Sequence, residues 1–445
     1  MVATTAADYN TTDRAVEMAI DIYFDGSHSA PVRCLRSNYI VDCTLLDEAC
    51  TDGSTFVGQP SSNELSFTLL GERGRFNPTN ASGPYYGKIK TGVMVKAYIR
   101  PIDLAEEVEY EWDLLGTFYV TDWQTDITGI TASVTANDIL YYLFNSGMTK
   151  LPVLDDVSYE ELLEAFLDYN GYTATVVGDL STHIPYGFIT VSNDKFLSEF
   201  SLGALAYIFC DHNGDVEVLG IDRESSIDYT LTDSDQIVSM KADQSILLEY
   251  DGVSLTYALP YISDEKDILA VKDVELNAGA TGRYQTQQFS STPVYAINRV
   301  ASSSDHRIMV KDVSANSIDV DYAVANLTAV KATYGLNFYG FTVDSLRVAK
   351  EDSGVSLLKI DNVYVQSDEY AEYLKQLLSK YISLNVPKLE LEVRGNPKYT
   401  IGSKLHIVSQ AYNVDFTGIL IRQDYKYDGG LSATLTVMNS EIIGD

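Results

Sequence analysis

The sequence has few of the residues on which metal and nucleophilic sites depend. Its 445 residues include four cysteines, five histidines and two tryptophans. The cysteines are Cys34, Cys43, Cys50 and Cys210. They form no CxxC pair, and spacings of nine and seven fit neither a zinc site nor the disulfide framework of a small secreted domain. We therefore expect free thiols, and no metal bound through cysteine.

The histidines are scattered along the chain, and none lies in an HExxH context. They are His28, His183, His212, His306 and His406. His406 lies between Leu405 and Ile407 in an alternating stretch, which predicts an outward-facing side chain. This pattern favours neither a metal site nor a general base.

Other catalytic patterns are absent or incomplete. The sequence has no GxSxG elbow and no GKS or GKT, and no helix-forming run follows Gly71–Phe76 as a phosphate cradle needs. The acids of Asp103–Glu111 are more simply explained as a solvated strand or loop than as a glycosidase pair. Asp211–Asp215 resembles the start of a calcium loop, but Val216 falls where that loop needs glycine, so a hairpin turn is predicted. We expect no enzyme activity, no catalytic or metal-binding residue and no cofactor.

Basic residues are also scarce, and this bears on the partners. There are 31 Lys and Arg against 63 Asp and Glu, for a net charge of −32, with no basic run. A protein that binds nucleic acid or an anionic membrane surface needs basic patches. The acidity is explained either by solubility or by a surface that must lie near DNA without binding it.

Targeting signals and long hydrophobic runs are missing as well. The first residues, 1–8, lack both a basic region and an apolar core, so no signal peptide is evident. No stretch reaches 18 apolar residues, so no membrane insertion is expected. We predict synthesis in the cytoplasm, and residues 1–14 are expected to be loose or ordered by a partner.

The sequence is instead rich in strand patterns. Between Phe56 and Leu143, apolar and polar residues alternate, and Gly, Asn and Pro interrupt the runs, as in half-buried antiparallel strands. Apolar residues make up 45% of the chain, enough for sizeable cores, and 32 residues are tyrosine. This abundance of tyrosine favours β structure and assembly contacts, or reflects only the general amino-acid usage of the source organism.

Helical signals occur at a few places between the strands. Asn137-Asp138 can cap a short helix, Ile139–Phe144, and Ser158 with Glu161 forms a capping box before a helix that ends at Gly171. A second helix is predicted near Ser192, followed by a hairpin with Asn213-Gly214 in a type I′ turn. A last helix begins at Ser367-Asp368, with an apolar stripe of Tyr370, Tyr373, Leu374, Leu377, Leu378 and Tyr381.

These patterns predict an α+β, predominantly β fold with a β module at each end of the chain, each partnered with a smaller inserted α/β domain, and the resemblance described below implies that the two modules are tube-protein-like antiparallel β-barrel domains. The first barrel is assigned to 1–145 plus 206–245, with a small α/β domain at 146–205. The second is assigned to 246–305 plus 385–445. The segment 306–384 is assigned to a further α/β domain with a helix near 368–382.

Three segments together resemble the baseplate hub and tail-associated hub proteins of long-tailed phages and related contractile injection systems. The first runs from Val57-Gly58 through Leu115–Val120 to Asn137–Leu140. The second is Phe196–Val218, a helix followed by a hairpin, and the third is Arg394-Gly395-Asn396-Pro397 with the strand after it. They cover both ends and part of the middle, about two thirds of the chain.

This resemblance implies a structural virion protein at the tail tip. Members carry two tube-like barrels per chain, and a homotrimer presents six barrels that adapt a six-fold tube to a three-fold tip. The implied partners are a tail tube or distal-tail protein above, a tip, spike or fibre protein below, the tape-measure protein, and genomic DNA that passes through an acidic lumen without specific binding.

Two other interpretations remain open. One is a distal-tail adaptor or another tube-end component, which a hexamer would favour. The other is a glycan-binding or glycan-cleaving surface protein, which needs an aromatic-lined cleft. Many hub proteins of this type continue into a lytic or receptor-binding region. This sequence stops at Asp445, shortly after its last predicted strand, so we expect any cell-wall hydrolase to be a separate protein.

Overall fold

The structure is a computed structural model. It describes residues 2–10, 15–26, 29–51, 55–103, 108–126, 129–221, 226–233, 237–243, 249–277, 284–302, 309–321 and 331–442. Most of the described residues lie in β-strands, and short helices separate groups of strands. The predicted α+β, predominantly β class is confirmed.

The strands are numbered in chain order. Strands β1 to β7 are Ala15–Tyr23, Val32–Leu35, Ile40–Glu48, Glu64–Leu70, Met94–Ile102, Asp113–Thr125 and Thr131–Asn137. Strands β8 to β14 are Leu154–Ser158, Ala174–Val177, His183–Gly187, Ala206–Cys210, Val216–Gly220, Tyr229–Thr232 and Ile237–Asp243. Strands β15 to β20 are Gly252–Ile262, Lys266–Asn277, Tyr284–Gln288, Val294–Ser302, Met309–Val313 and Ser317–Asp321. Strands β21 to β26 are Lys331–Glu351, Leu357–Asn362, Lys388–Val393, Lys404–Ser409, Val414–Tyr427 and Leu431–Asn439.

The helices are numbered in the same way. Helices α1 to α5 are Ala6–Tyr9, Ile139–Asn145, Tyr159–Asn170, Asn193–Ala204 and Asp368–Ser383. Two single turns of 3₁₀-helix, Glu72–Gly74 and Ser440–Ile442, complete the described helical segments.

Thirteen strands form one large sheet. Its order is β14-β23-β26-β25-β3-β4-β7-β6-β5-β1-β2, and β24 and β13 extend it from β25. Every pair in it is antiparallel except β13 with β24. We call strands β1 to β7 the first β module, and strands β13, β14 and β23 to β26 the second β module.

The two β modules are joined where β25 changes partner, and we call the β3–β25 pair the seam. The first half of β25 pairs with β24, as in Leu405 opposite Gly418, and the second half pairs with β3, as in Arg422 opposite Glu48. The pairing of β25 with β26 shifts register between Leu420 and Arg422, at the same point. A β-bulge bends a strand and increases its twist, so this shift lets one strand serve both modules.

Several strands pair with strands that the sequence assigned to a different domain. The hairpin β11–β12, assigned to the first barrel, pairs with β9 of the inserted region, and β13 and β14 pair with β24 and β23 of the second module. Strands β15, β16 and β18, assigned to the second barrel, pair with β21. Alternation in a sequence predicts that a segment is a strand, but the partner is chosen by long-range packing.

Local signals were more reliable. Asp138 caps α2 by accepting a hydrogen bond from the Leu140 amide, and Ser158 with Glu161 forms the predicted capping box of α3. Gly171 ends α3 with a positive φ, and Ser367 caps α5. These features depend on residues within one helical turn, which is why the sequence reveals them.

Two local predictions were wrong. Tyr373 was placed on the buried stripe of α5 but is 45% exposed, whereas Ala371 and Ile382 are buried there. Residues 1–14 were expected to be loose or ordered by a partner, but in the described part, 2–10, Tyr9 is fully buried within the same chain and its hydroxyl donates to Asp113. A single aromatic side chain can anchor a polar segment, and hydropathy averaged over the segment does not reveal it.

Several predictions fall wholly or partly outside the described residues. These are His28 and His306, Glu106 and Glu107 of the acidic stretch 103–111, and two further predictions from the alternation within 225–305, a strand at 246–250 and a loop at 277–282.

Buried apolar side chains from both β modules form one continuous core, which also includes residues of β15, β22 and α5. A second core lies in the inserted α/β region, residues 139–221, and is built on α2, α3, α4, β11 and β12. Tyr364, which follows β22, is buried in this second core. The region 357–384 therefore connects the two cores.

Candidate functional site

The side of the large sheet opposite its apolar core is polar across both β modules. In one row of neighbouring strands, Lys241, Glu390, Thr436, Arg422 and Glu48 lie side by side. A parallel row consists of Ser239, Glu392, Thr434, Asp424, Leu46, Glu64 and Asn137. A third row consists of Ser432, Lys426, Thr44, Ser66, Thr135 and Asp122. We call this surface the polar face.

The polar face follows from the period of the strands. In β23, Leu389, Leu391 and Val393 are buried, while Glu390 and Glu392 between them point to the other side. Successive side chains of a strand point to opposite faces, so one register places every acid of this strand on the polar face. The alternation of Lys388–Val393 is visible in the sequence and was the available signal for this surface.

Carboxylates outnumber cations on the polar face. The carboxylates are Asp42, Glu48, Glu64, Asp122, Asp243, Glu390, Glu392 and Asp424. The cations are Lys241, Lys388, Arg422 and Lys426. Most other side chains in the three rows are Ser or Thr, so the surface is hydrophilic, with a net negative charge.

A charged group lies at the seam, on the polar face. The Arg422 guanidinium donates to Glu48 at 2.8 Å and to Asp424 at 2.9 and 3.0 Å. Glu48 is 2% exposed, and burial raises the pKa of its carboxyl even though Arg422 opposes the shift. Arg422 therefore links a carboxylate of each module across the seam, and it is partly exposed itself.

The strand end of β3 also meets the inserted α/β region. The His212 ring, at the tip of the β11–β12 hairpin, lies 3.3 Å from a carboxylate oxygen of Asp47. Burial alone would lower the pKa of His212, but the hydrogen bond and charge of Asp47 outweigh it, and the pKa is raised. The other oxygen of Asp47 is buried and has no hydrogen-bond partner among the described residues.

Asp138 occupies the junction of the first β module with the inserted region. Its carboxylate accepts hydrogen bonds from the backbone amides of Asn63 and Leu140, and it is 1% exposed. Burial raises its pKa to about 7. Asn63 also donates to the Cys210 carbonyl and accepts from the Glu48 amide, so it connects this junction to the seam.

The predicted hairpin turn at Asp211–Asp215 is confirmed, but its type is not. Gly214 has a φ of +93°, while Asn213 is not among the residues with positive φ. A type I′ turn needs positive φ at both positions. One oxygen of the Asp211 carboxylate instead accepts the amides of Gly214 and Asp215, and the other accepts from the Asn213 side chain, which stabilises a different turn.

The structure brings no predicted chemical groups together. Within the described ranges, no cluster of three or more His, Cys, Asp or Glu has the geometry of a metal site. The four cysteines are buried and free, and burial raises the pKa of Cys34 to about 12. His406 lies on the more exposed side of β24, as predicted, and its ring is 2.8 Å from Asp415. Among the described helices, none combines the length and hydrophobicity needed to cross a membrane.

Sequence comparison finds no protein-family model and no curated protein that matches this chain. Structural comparison does find matches. A 43 kDa tail protein of prophage MuSo2 from Shewanella oneidensis aligns with a TM-score of 0.54 and 11% identity, over 96% of this chain and 99% of that one. A tail protein from Neisseria meningitidis MC58 aligns with a TM-score of 0.53 and 9% identity, over 96% and 97%.

Both alignments run over nearly the whole of each chain, so they compare complete architectures rather than a shared motif. The chain has the fold of prophage tail proteins, and the resemblance inferred from its sequence segments is confirmed at the level of the fold.

Proposed function

We propose that this chain is a structural component of a phage-type tail, at the baseplate hub. Three copies would present two β modules each, six similar units in a ring, which adapts a six-fold tube to a three-fold tip. The observation that carries this proposal is that one chain joins two β modules into a single continuous sheet with a common polar face. Each module would correspond to one tube-like barrel.

The polar face is the surface we assign to the lumen of this ring. Its excess of carboxylates, among them Glu64, Glu390 and Glu392, would give the channel a negative potential that repels the phosphates of passing DNA. The Ser and Thr between them provide a hydrated lining in which Leu46 is the one apolar member of the three rows.

The remaining parts of the proposal concern location and partners. The protein would reside in the tail tip of the virion after synthesis in the host cytoplasm, between a tube or distal-tail protein and a tip, spike or fibre protein. Tape-measure protein and DNA would pass through its channel. Its role would be structural, without catalysis.

The assembly state is tested by light scattering on the purified full chain, followed by imaging of rings. A mass of three copies is the expected result. Six copies would contradict the hub and support a distal-tail adaptor. If the protein is a monomer in solution, the number of copies is counted in images of the assembled particle. A ring of three copies is expected there, and a ring of six would overturn the proposal.

The lumen is tested by charge reversal. A variant with Glu64, Glu390 and Glu392 changed to Lys should bind double-stranded DNA in a gel-shift assay at low salt and release it as salt increases, whereas the natural protein should not bind. The matched control reverses Glu164, Asp168 and Glu369, exposed acids on helices α3 and α5. Equal DNA binding by both variants would argue against a channel at the polar face.

A further inference from the structure

A cavity of about 820 Å³ lies on the first β module beside the turn-rich segment 72–86. Its lining includes Asn38, Tyr39, Leu70, Glu72, Arg75 and Ser82. None of these residues belongs to the rows of the polar face defined above. The cavity is of the size that small-molecule ligands occupy.

Arg75 brings a positive charge to this cavity, and no described acidic residue pairs with it. Its guanidinium lies 5.0 Å from the ring centre of Tyr39 and 5.7 Å from that of Tyr85, and it donates to the Tyr85 hydroxyl at 3.3 Å. Within the described part of the chain, no carboxylate forms an ion pair with it, and its Nε is buried without an acceptor. Partly buried arginines are normally neutralised, so a charge in this position suits an anionic ligand.

Two further groups at the cavity have unused hydrogen-bonding capacity. The Asn38 side-chain oxygen accepts the Leu35 amide, while its NH₂ group has no acceptor among the described residues. The Ser82 hydroxyl makes no hydrogen bond with a described residue either, since only the Ser82 backbone amide is engaged, with Asn80. The Glu72 carboxylate, on the same cavity, is exposed and can accept hydrogen bonds.

We infer that this cavity binds a small acidic carbohydrate, a sugar that carries a carboxylate. Arg75 would pair with the carboxylate, Asn38 and Ser82 would bind ring or hydroxyl oxygens, and Glu72 would accept from sugar hydroxyls. Leu70, which is 47% exposed, offers an apolar surface to the C–H groups of the sugar. This inference does not depend on the proposed hub role.

The composition of the cavity separates this ligand from other anions. A bare phosphate would leave most of about 820 Å³ unfilled and would offer few hydrogen-bond donors to Glu72. A simple carboxylate without hydroxyls would satisfy Arg75 but would supply no donor to Glu72. A sugar acid pairs its carboxylate with Arg75 and can donate hydroxyl hydrogen bonds to Glu72.

The test is isothermal titration calorimetry of the full chain with sodium glucuronate, glucose, inorganic phosphate and sodium propionate as separate probes. Glucuronate should bind with a Kd on the order of 1 mM, as expected for a ligand of its size, and the other three at least about tenfold more weakly. Absence of saturable binding, or equally tight binding of glucose, phosphate or propionate, would overturn the assignment.

Variants locate the site. Arg75→Gln should weaken glucuronate binding by at least about tenfold. Arg299→Gln, which changes another arginine stacked on a tyrosine ring, should leave it unchanged. Asn38→Asp keeps the oxygen that accepts the Leu35 amide but adds a negative charge, so binding should be lost. If Arg75→Gln does not fold by circular dichroism, Asn38→Asp decides, and unchanged affinity in a folded variant rejects the cavity.

Discussion

The chain joins its parts in two different ways. At the seam, the two β modules are joined by main-chain pairing of β3 with β25, and Arg422 adds a charged link on the surface. The inserted α/β region is instead attached to the segment around Tyr364 by tyrosine hydroxyls. Tyr159 donates to the Tyr364 carbonyl, Tyr364 to that of Phe188, and Tyr370 to that of Gly203.

The difference has a physical basis. Sheet pairing repeats every two residues and fixes the orientation of both modules, and it tolerates many side chains as long as the backbones approach closely. Docking through tyrosine hydroxyls depends on a few side chains that bring large apolar area and one polar tip each. The stability of the seam should therefore be most sensitive to backbone changes. The contact between the inserted α/β region and the segment around Tyr364, which we call the docking surface, should be most sensitive to the loss of single tyrosine hydroxyls.

The largest effect should come from the backbone of β25. Gly418 lies between β24 and β26, and a Cβ there would overlap the carbonyl oxygen of Met438. Gly418→Ala should lower the free energy of unfolding by about 3 kcal/mol, because either the strand or its neighbour must shift. Urea denaturation measures it. Gly430→Ala, in the open turn after β25, is the control and should be nearly neutral, since its Cβ meets no atom within 4 Å. Equal stability of the two variants would contradict the close approach.

The next effect concerns the junction at Asp138. Burial raises its folded-state pKa to about 7 from an ordinary value near 3.8, so the folded state binds this proton more tightly than the unfolded chain. The contribution is favourable at low pH and is lost as pH rises from about 4 to about 7, by about 2 kcal/mol between pH 5 and pH 7.

Urea denaturation from pH 5 to pH 8 tests this dependence. Asp138→Asn should reduce the slope by the Asp138 contribution of about 2 kcal/mol between pH 5 and pH 7, and His212 and Glu48, whose pKa values are also raised, should retain the remainder. Asp122→Asn, which changes an exposed acid of β6, should keep the whole slope. A slope that is unchanged in Asp138→Asn would show that other groups produce it.

A smaller effect is expected from the charged link. Arg422→Met leaves Glu48, which is 2% exposed, without its cation, and should destabilise the fold by about 1–2 kcal/mol, less than a fully buried pair because Arg422 is partly exposed. Thermal unfolding measures it. Lys426→Met on the same strand, whose ammonium makes no ion pair with a described residue, is the control and should be within about 0.5 kcal/mol of the natural protein. A stable Arg422→Met would mean that the main chain alone maintains the seam.

The smallest effect tests the docking surface. Tyr159→Phe removes the hydroxyl that donates to the Tyr364 carbonyl at 2.8 Å, in a fully buried position, and should cost about 1 kcal/mol. Tyr169→Phe, on an exposed side chain of the same helix, should cost nothing measurable. Urea denaturation compares the two. Loss of stability in Tyr169→Phe alone would show that the hydroxyl contacts do not govern docking.

The sequence alone determined the β-rich class, the helix starts at Asp138, Ser158 and Ser367, and the alternation that places acids on one side of β23, because each depends on neighbours within a few residues. Only the tertiary structure decided that β25 is shared between two modules, that β13 and β14 belong with β23 and β24, and that Arg75 has no acidic partner among the described residues. Strand partners, buried charges and cavities arise from residues hundreds of positions apart, such as Glu48 and Arg422, and no local pattern specifies which distant groups will meet.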